Sequence, residues 1–135
     1  MILIDSSVWI AYFNGQDIWQ SNVLDKLLEK VPVIIGDLIM TEVLQGFRTD
    51  KDFNKAKEFL SFLDFKELCG LDIALQSSIN YRNLRKKGTT IRKTIDVIIG
   101  TYCIENQCTL LHDDHDFDVI EKYLHLKVVS PNILN

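Results

Sequence analysis

Four acids in this chain stand where they could do chemistry together: Asp5, Glu42, Asp96 and Asp114. Asp5 ends the apolar run Met1-Ile2-Leu3-Ile4. Glu42 lies within Asp37-Leu38-Ile39-Met40-Thr41-Glu42-Val43-Leu44, and Asp96 within Thr94-Ile95-Asp96-Val97-Ile98-Ile99-Gly100. Asp114 follows Thr109-Leu110-Leu111-His112-Asp113. An acid inside apolar sequence is costly to bury without a partner, and several converging acids repel one another. A bound divalent cation relieves both costs. Mg²⁺ and Mn²⁺ take oxygen ligands in octahedral geometry, and Mg²⁺ keeps several waters, so one or two carboxylates per ion suffice. Two such ions roughly 3.5–4 Å apart stabilise the attacking and leaving oxygens of an in-line displacement, with an activated water as nucleophile. The acids therefore point to metal-dependent phosphodiester cleavage. Singly, each has a plainer role: Asp5 and Asp114 as helix caps, Glu42 on a solvated helix face.

The segments around these acids suggest how they are positioned. Short, apolar, non-alternating runs at Ile2–Asp5, Val33–Gly36, Thr109–His112 and Lys127–Ser130, with a weaker one near Lys66–Cys69, suit parallel strands covered on both faces. Between them run helical patterns. Ser6 and Ser7 are candidate caps for Val8–Phe13, which ends at Asn14-Gly15. Asp17–Lys30, a helix capped by Asp37, Phe53–Leu63, Asp72–Lys87 and Thr94–Asn106 follow, and Asp114 or Asp116 opens the last helix. In the 94–106 helix, Asp96 lies beside an apolar stripe of Ile95, Ile98, Ile99 and Tyr102, at a partly desolvated boundary. The alternation predicts an α/β fold, a three-layer α/β/α arrangement with a central parallel sheet. Ligands of such sheets bind outside the carboxyl ends of the strands, where Asp5 and Asp114 would project.

The 135 residues fit one domain, residues 1–135. No apolar run approaches the ~18 residues of a membrane span, and no signal peptide is evident. Three unpaired-looking cysteines, Cys69, Cys103 and Cys108, fit a reducing cytoplasm. The formal charge of −4 argues mildly against a nucleic-acid binder. Yet Arg82, Arg85, Lys86, Lys87, Arg92 and Lys93 crowd one stretch with no acid among them. Such a patch binds phosphate whatever the net charge; the alternative is a solvated helix end and loop. His112 and His115 could be zinc ligands, but they lack a matching Cys pair and are better explained as strand-end and helix-start residues. Trp9, Tyr12 and Phe13 are core by default, or an apolar patch for a partner.

The opening Met1-Ile2-Leu3-Ile4-Asp5-Ser6-Ser7-Val8-Trp9-Ile10 resembles that of PIN-domain ribonucleases, above all the VapC-type toxins of bacterial toxin–antitoxin pairs. The resemblance continues through Thr41-Glu42-Val43-Leu44-Gln45-Gly46, Thr94–Gly100, Leu110-Leu111-His112-Asp113-Asp114-His115-Asp116-Phe117 and Lys127-Val128-Val129-Ser130-Pro131. Each motif alone is weak; their order and spacing along nearly the whole chain are specific. The resemblance implies a PIN-like fold and an Mg²⁺-dependent endoribonuclease, with Mn²⁺ able to substitute. The implied quartet is Asp5, Glu42, Asp96 and Asp114, with Asp116 assisting as a metal ligand and Ser7 ordering the site. It also implies an RNA substrate, with transfer RNA the expected one, a cytoplasmic location, a homodimer, and an antitoxin whose C-terminal segment covers the carboxylates. Trp9, Phe13 and the Leu38–Phe47 helix are candidates for the receiving groove, and Arg85, Lys86, Lys87, Arg92 and Lys93 for RNA contact.

Other classes fit less well. A PIN-type nuclease in RNA processing, without a toxin role, is the nearest alternative. A signalling receiver domain needs an acid pair after its first strand, where this chain has Ser6-Ser7. A haloacid-dehalogenase-type phosphatase needs an acid where Ser7 stands. A non-catalytic binding module would not require four such acids.

Overall fold

The computed structural model describes residues 1–134. Its elements are β1 (Ile2–Ile4), α1 (Ser6–Phe13), α2 (Trp19–Lys30), β2 (Val33–Gly36), α3 (Asp37–Gln45), α4 (Asp50–Ser61), β3 (Asp64–Lys66), α5 (Leu71–Lys86), α6 (Thr94–Glu105), β4 (Thr109–Leu111) and α7 (His115–Leu124). The strands form one sheet in the order β3-β2-β1-β4. Every pairing is parallel, with Leu3 beside Ile34 on one side and Leu110 on the other. Leu3, Ile4, Ile34, Ile35, Leu110 and Leu111 are all fully buried. Helices flank the sheet, so neither face of β1 meets water, which is why its residues do not alternate.

Local chemistry sets the helix starts. α1 is capped by Asp5, whose side chain accepts from the backbone N–H of Ser7. The expected caps, Ser6 and Ser7, are instead the first helical residues: the longer carboxylate reaches back over the turn and takes the orphan N–H. Past the end of α1, Gly15 has φ +68°, the left-handed conformation glycine adopts without strain. Asp37 is the first residue of α3, and its Oδ1 accepts from Leu38 N–H at 2.8 Å and from Leu68 N–H at 3.0 Å. It thus ties the end of β2 to the segment after β3. Thr49 caps α4, which starts three residues before the apolar pattern does.

Two expected strands differ. The weak strand at Lys66–Cys69 lies at Asp64–Lys66, paired to Ile34–Gly36. The strand expected over Lys127–Ser130 is reduced to a bridge between Leu110 and Val128, held by Leu110 N–H to Lys127 C=O at 3.0 Å and Val129 N–H to Leu110 C=O at 2.9 Å. α6 also departs from the single-stripe expectation. Asp96, Val97, Ile99, Gly100, Thr101, Tyr102 and Cys103 are all buried, because α6 packs against α5, α7 and β4. Ile95 and Ile98, assigned to the stripe, are only half-buried. Among the described residues no helix is long and apolar enough to cross a membrane.

Candidate metal and active site

The strand ends deliver the acids. Asp5 N–H donates to Leu111 C=O at 2.9 Å, so the carboxyl ends of β1 and β4 are stitched together where Asp5 and Asp114 emerge. Ser7 locks this corner. Its N–H, at 3.1 Å, and its hydroxyl both donate to Asp5 Oδ2, while Ser7 Oγ accepts from Asp113 N–H at 3.1 Å. Asp114 caps α7, its Oδ1 accepting from Asp116 N–H at 2.9 Å. The α7 start therefore holds Asp114 and Asp116 side by side. Glu42, on α3, accepts from Ser6 Oγ at 3.2 Å.

Asp96, Asp114 and Asp116 each offer an oxygen, and these oxygens lie within 4.8 Å of one another. Asp5 and Glu42 stand outside that tight trio but feel the same field. Asp5 raises the pKa of both Glu42 and Asp96, and Asp114 raises those of Asp5, Glu42 and Asp96.

The electrostatics are those of a site short of positive charge. Asp5 and Asp96 are 2% and 3% exposed. Burial pushes the Asp5 carboxyl up against the lowering effect of the Ser7 hydrogen bonds. Asp96 is pushed up to about 7, first by burial, then by Asp5 and Asp114. Glu42 is raised by burial and then by Asp5. Lys93 is the one member of the basic stretch that forms an ion pair among the described residues, its Nζ 3.6 Å from Asp114 Oδ2. Its own pKa is raised, foremost by Asp96. One ammonium cannot balance five carboxyl groups. Asp5 Oδ1 and Asp96 Oδ2 are both buried with no hydrogen-bond partner. Buried acceptors are ordinarily satisfied, and an all-oxygen donor set of this charge suits a hard divalent cation. The residues present therefore fit a metal.

The other expected residues divide. Asp113, the neighbouring acid in the run, is exposed and turned aside, accepting from Gln20 Nε2 at 3.3 Å. Arg85 lies over the Tyr81 ring at 5.5 Å and Lys87 over the Tyr123 ring at 5.7 Å; with Lys86 and Arg92 they are exposed. His112 and His115 belong to no metal-sized group among the described residues. His112 Nδ1 accepts from Asp114 N–H at 3.2 Å, and His115 pairs with Asp118 at 3.2 Å. Trp9 does not line a surface groove: it is fully buried, stacked on Phe13 at 5.7 Å. Two supporting residues escaped the sequence, Ser6 on Glu42 and Lys93 as internal counter-charge. The Asp-Ser-Ser triplet carried a signal for the first. Nothing local separated Lys93 from its basic neighbours.

Comparison with known proteins gives the fold and the family. Ribonuclease VapC11 of Mycobacterium tuberculosis is 28% identical over 141 residues, covering 96% of this chain and 98% of that protein. The structure of VapBC2 from Rickettsia felis bound to a DNA fragment from its promoter superposes with TM-score 0.76 at 17% identity, covering 96% of this chain and 98% of that one. A toxin–antitoxin complex from Klebsiella pneumoniae gives 0.72 at 21% identity, covering 97% and 98%. The family model for the PIN domain matches residues 2–123, a span that contains Asp5, Glu42, Asp96, Asp114 and Asp116, and the chain belongs to the PIN-domain family.

Proposed function

We propose that this protein is a metal-dependent endoribonuclease, the toxin of a toxin–antitoxin pair, with Asp5, Glu42, Asp96 and Asp114 as its catalytic acids and Asp116 assisting. The observation that carries this is the pair of buried, unpartnered oxygens, Asp5 Oδ1 and Asp96 Oδ2, with Asp96 grouped with Asp114 and Asp116 and with Asp5 and Glu42 within electrostatic reach of them. Mg²⁺ is the expected ion, with Mn²⁺ able to replace it. A bound divalent cation supplies Lewis-acid polarisation of a phosphoryl oxygen and a nucleophilic water at neutral pH. The chain's own residues hold the frame. Ser7 fixes the Asp5 carboxylate, Ser6 fixes Glu42, and the α7 cap fixes Asp114 against Asp116. Lys93 sits at the rim, half-exposed, where its ammonium can leave Asp114 for a substrate phosphate. Arg92, and the exposed Arg85, Lys86 and Lys87 at and just past the end of α5, are further contacts for the RNA backbone.

Two apolar surfaces support the reading of its partners. Phe13, Phe47 and Phe59 are half-buried and pack edge-on at 5.6–5.9 Å, lining a groove with Ala56 and Lys55. This suits an apolar antitoxin segment, and relatives of similar fold are VapBC complexes. Exposed Leu71, Leu75 and Ile79 repeat every four residues along α5, an apolar row that suits a homodimer. The substrate is RNA, with transfer RNA as its expected class, and the location is the cytoplasm.

Purified protein should cleave RNA with Mg²⁺ or Mn²⁺ and stop when EDTA is added. Expression of the chain alone should arrest growth, and its genomic neighbour should relieve the arrest while binding it tightly. Cleavage without arrest would leave the nuclease and remove the toxin role.

A further inference from the structure

A cavity of about 250 Å³ opens beside Asp114, between the start of α2 and the exposed edge of α7. It is smaller than the ~300–1,000 Å³ of pockets for drug-sized ligands, and suits one flat ring system. Its apolar wall includes Val129 and the indole of Trp19, which is 37% exposed. Trp19 is the only tryptophan with an exposed face, since Trp9 is fully buried. Its polar wall carries four acids beside His112 and His115, so a phosphate would be repelled and a group that presents hydrogen-bond donors is favoured.

The unused hydrogen-bonding groups narrow the occupant. Gln20 is only 7% exposed. Its Nε2 donates to His112 C=O at 3.4 Å and to Asp113 Oδ1 at 3.3 Å. No group among the described residues donates to its Oε1, and the residue lines the cavity. Asp118 is engaged by His115 at 3.2 Å. Glu121, also on the wall, has a carboxylate with no hydrogen bond or ion pair among the described residues. The cavity therefore offers a stacking surface and several free acceptors.

Among the four bases, only guanine presents two adjacent donors, N1–H and the N2 amino group, that a carboxylate can take with both oxygens. Adenine and cytosine pair one amino donor with a ring-nitrogen acceptor, which would face the second carboxylate oxygen. Uracil has a single N3–H between two carbonyls. Single-stranded RNA is recognised by splaying a base onto an aromatic ring and bonding its Watson–Crick edge.

We propose that this cavity is a guanine pocket, in which Trp19 stacks the base and Glu121, with Gln20 Oε1, reads its donor edge. Asp114 belongs both to the cavity wall and to the acidic site, so the guanosine adjoins the phosphate that is cut. This choice of RNA sequence rests on the ribonuclease reading above, but the pocket itself binds without any cleavage.

The probe is unphosphorylated guanosine, titrated into the ¹⁵N-labelled chain and followed through the two indole N–H signals, with Trp19 assigned from Trp19→Phe. Guanosine should shift the Trp19 signal and leave Trp9 in place, at a concentration roughly tenfold below that needed for adenosine, cytidine or uridine. Glu121→Gln should erase that preference; Trp19→Ala, which lacks the reporter indole, is followed through the backbone amides of Gln20 and Glu121 on the same cavity wall and should weaken all four. Equal responses to the four nucleosides, or a Trp19 signal that none of them moves, would overturn the pocket. The two failures stay separate. Guanosine binding by a chain that cuts no RNA leaves the pocket and removes the nuclease. Metal-dependent cleavage with no guanine beside the cut and no Trp19 shift removes the pocket alone.

Discussion

Replacing Asp96 by Asn should make the metal-free protein more stable at pH 8, although it removes a central acid. The Asp96 carboxyl is 3% exposed, has one unpartnered oxygen, and is raised from 3.8 to about 7. An acid whose folded-state pKa is raised favours folding most when protonated. That contribution is fully present below pH 3.8 and is lost as pH rises through about 7. At about 1.4 kcal/mol per pH unit, the interval makes folding at pH 8 about 4 kcal/mol less favourable than it would be with an unperturbed acid. Asn is nearly isosteric and carries no charge, so it removes this cost. For a chain of this size the gain is roughly 10–15 °C in Tm. The assay is thermal unfolding in EDTA from pH 5 to 8. Wild type should lose stability across that window, and Asp96→Asn should be flatter and should melt higher at pH 8. Saturating Mg²⁺ should raise the wild type and have less effect on the variant. An Asp96→Asn protein that melts lower than wild type at pH 8 in EDTA would refute the idea that repulsion and burial dominate this site.

Three further outcomes follow from other parts of the molecule. Neutralising Arg92 and Lys93 together should weaken RNA binding and reduce the slope of log K against log salt by about one to two; an unchanged slope would leave this stretch a solvated surface. Gly36→Ala should destabilise the fold by about 1–3 kcal/mol in chemical denaturation, because the added methyl would sit 2.3–2.8 Å from the fully buried Leu68 side chain; a neutral result would mean Leu68 can swing aside. Phe13→Asp should abolish antitoxin capture in co-purification while metal-dependent cleavage persists, and retained capture would place the antitoxin elsewhere.

The sheet was legible because parallel strands buried on both faces write continuous apolar runs, as at Ile2–Ile4 and Val33–Gly36. The last strand was not. Val128 and Val129 have strand-forming side chains, but they follow His125 in a left-handed turn at φ +62°, and only one bridge to the sheet edge forms. Asp5, Asp114 and Asp116 could be placed from strand-end and helix-start patterns, which fix direction locally. The depth of Asp96 could not, because its burial comes from three elements packing on α6 and leaves no single helical period to read. Lys93 shows the same limit. Its sequence neighbours Arg92 and Lys87 look equivalent, and only the approach of the α7 start sets its ammonium against Asp114.

The most direct test of the acidic site is single-turnover RNA cleavage by wild type, Asp5→Asn and Asp96→Asn, with folding checked by circular dichroism and excess Mg²⁺ present throughout. With the fold intact, both substitutions should lower the rate by orders of magnitude, and EDTA should bring the wild type to the same floor. Wild-type rates in both variants would contradict the account, because the two buried acids with unpartnered oxygens would then have no part in the chemistry.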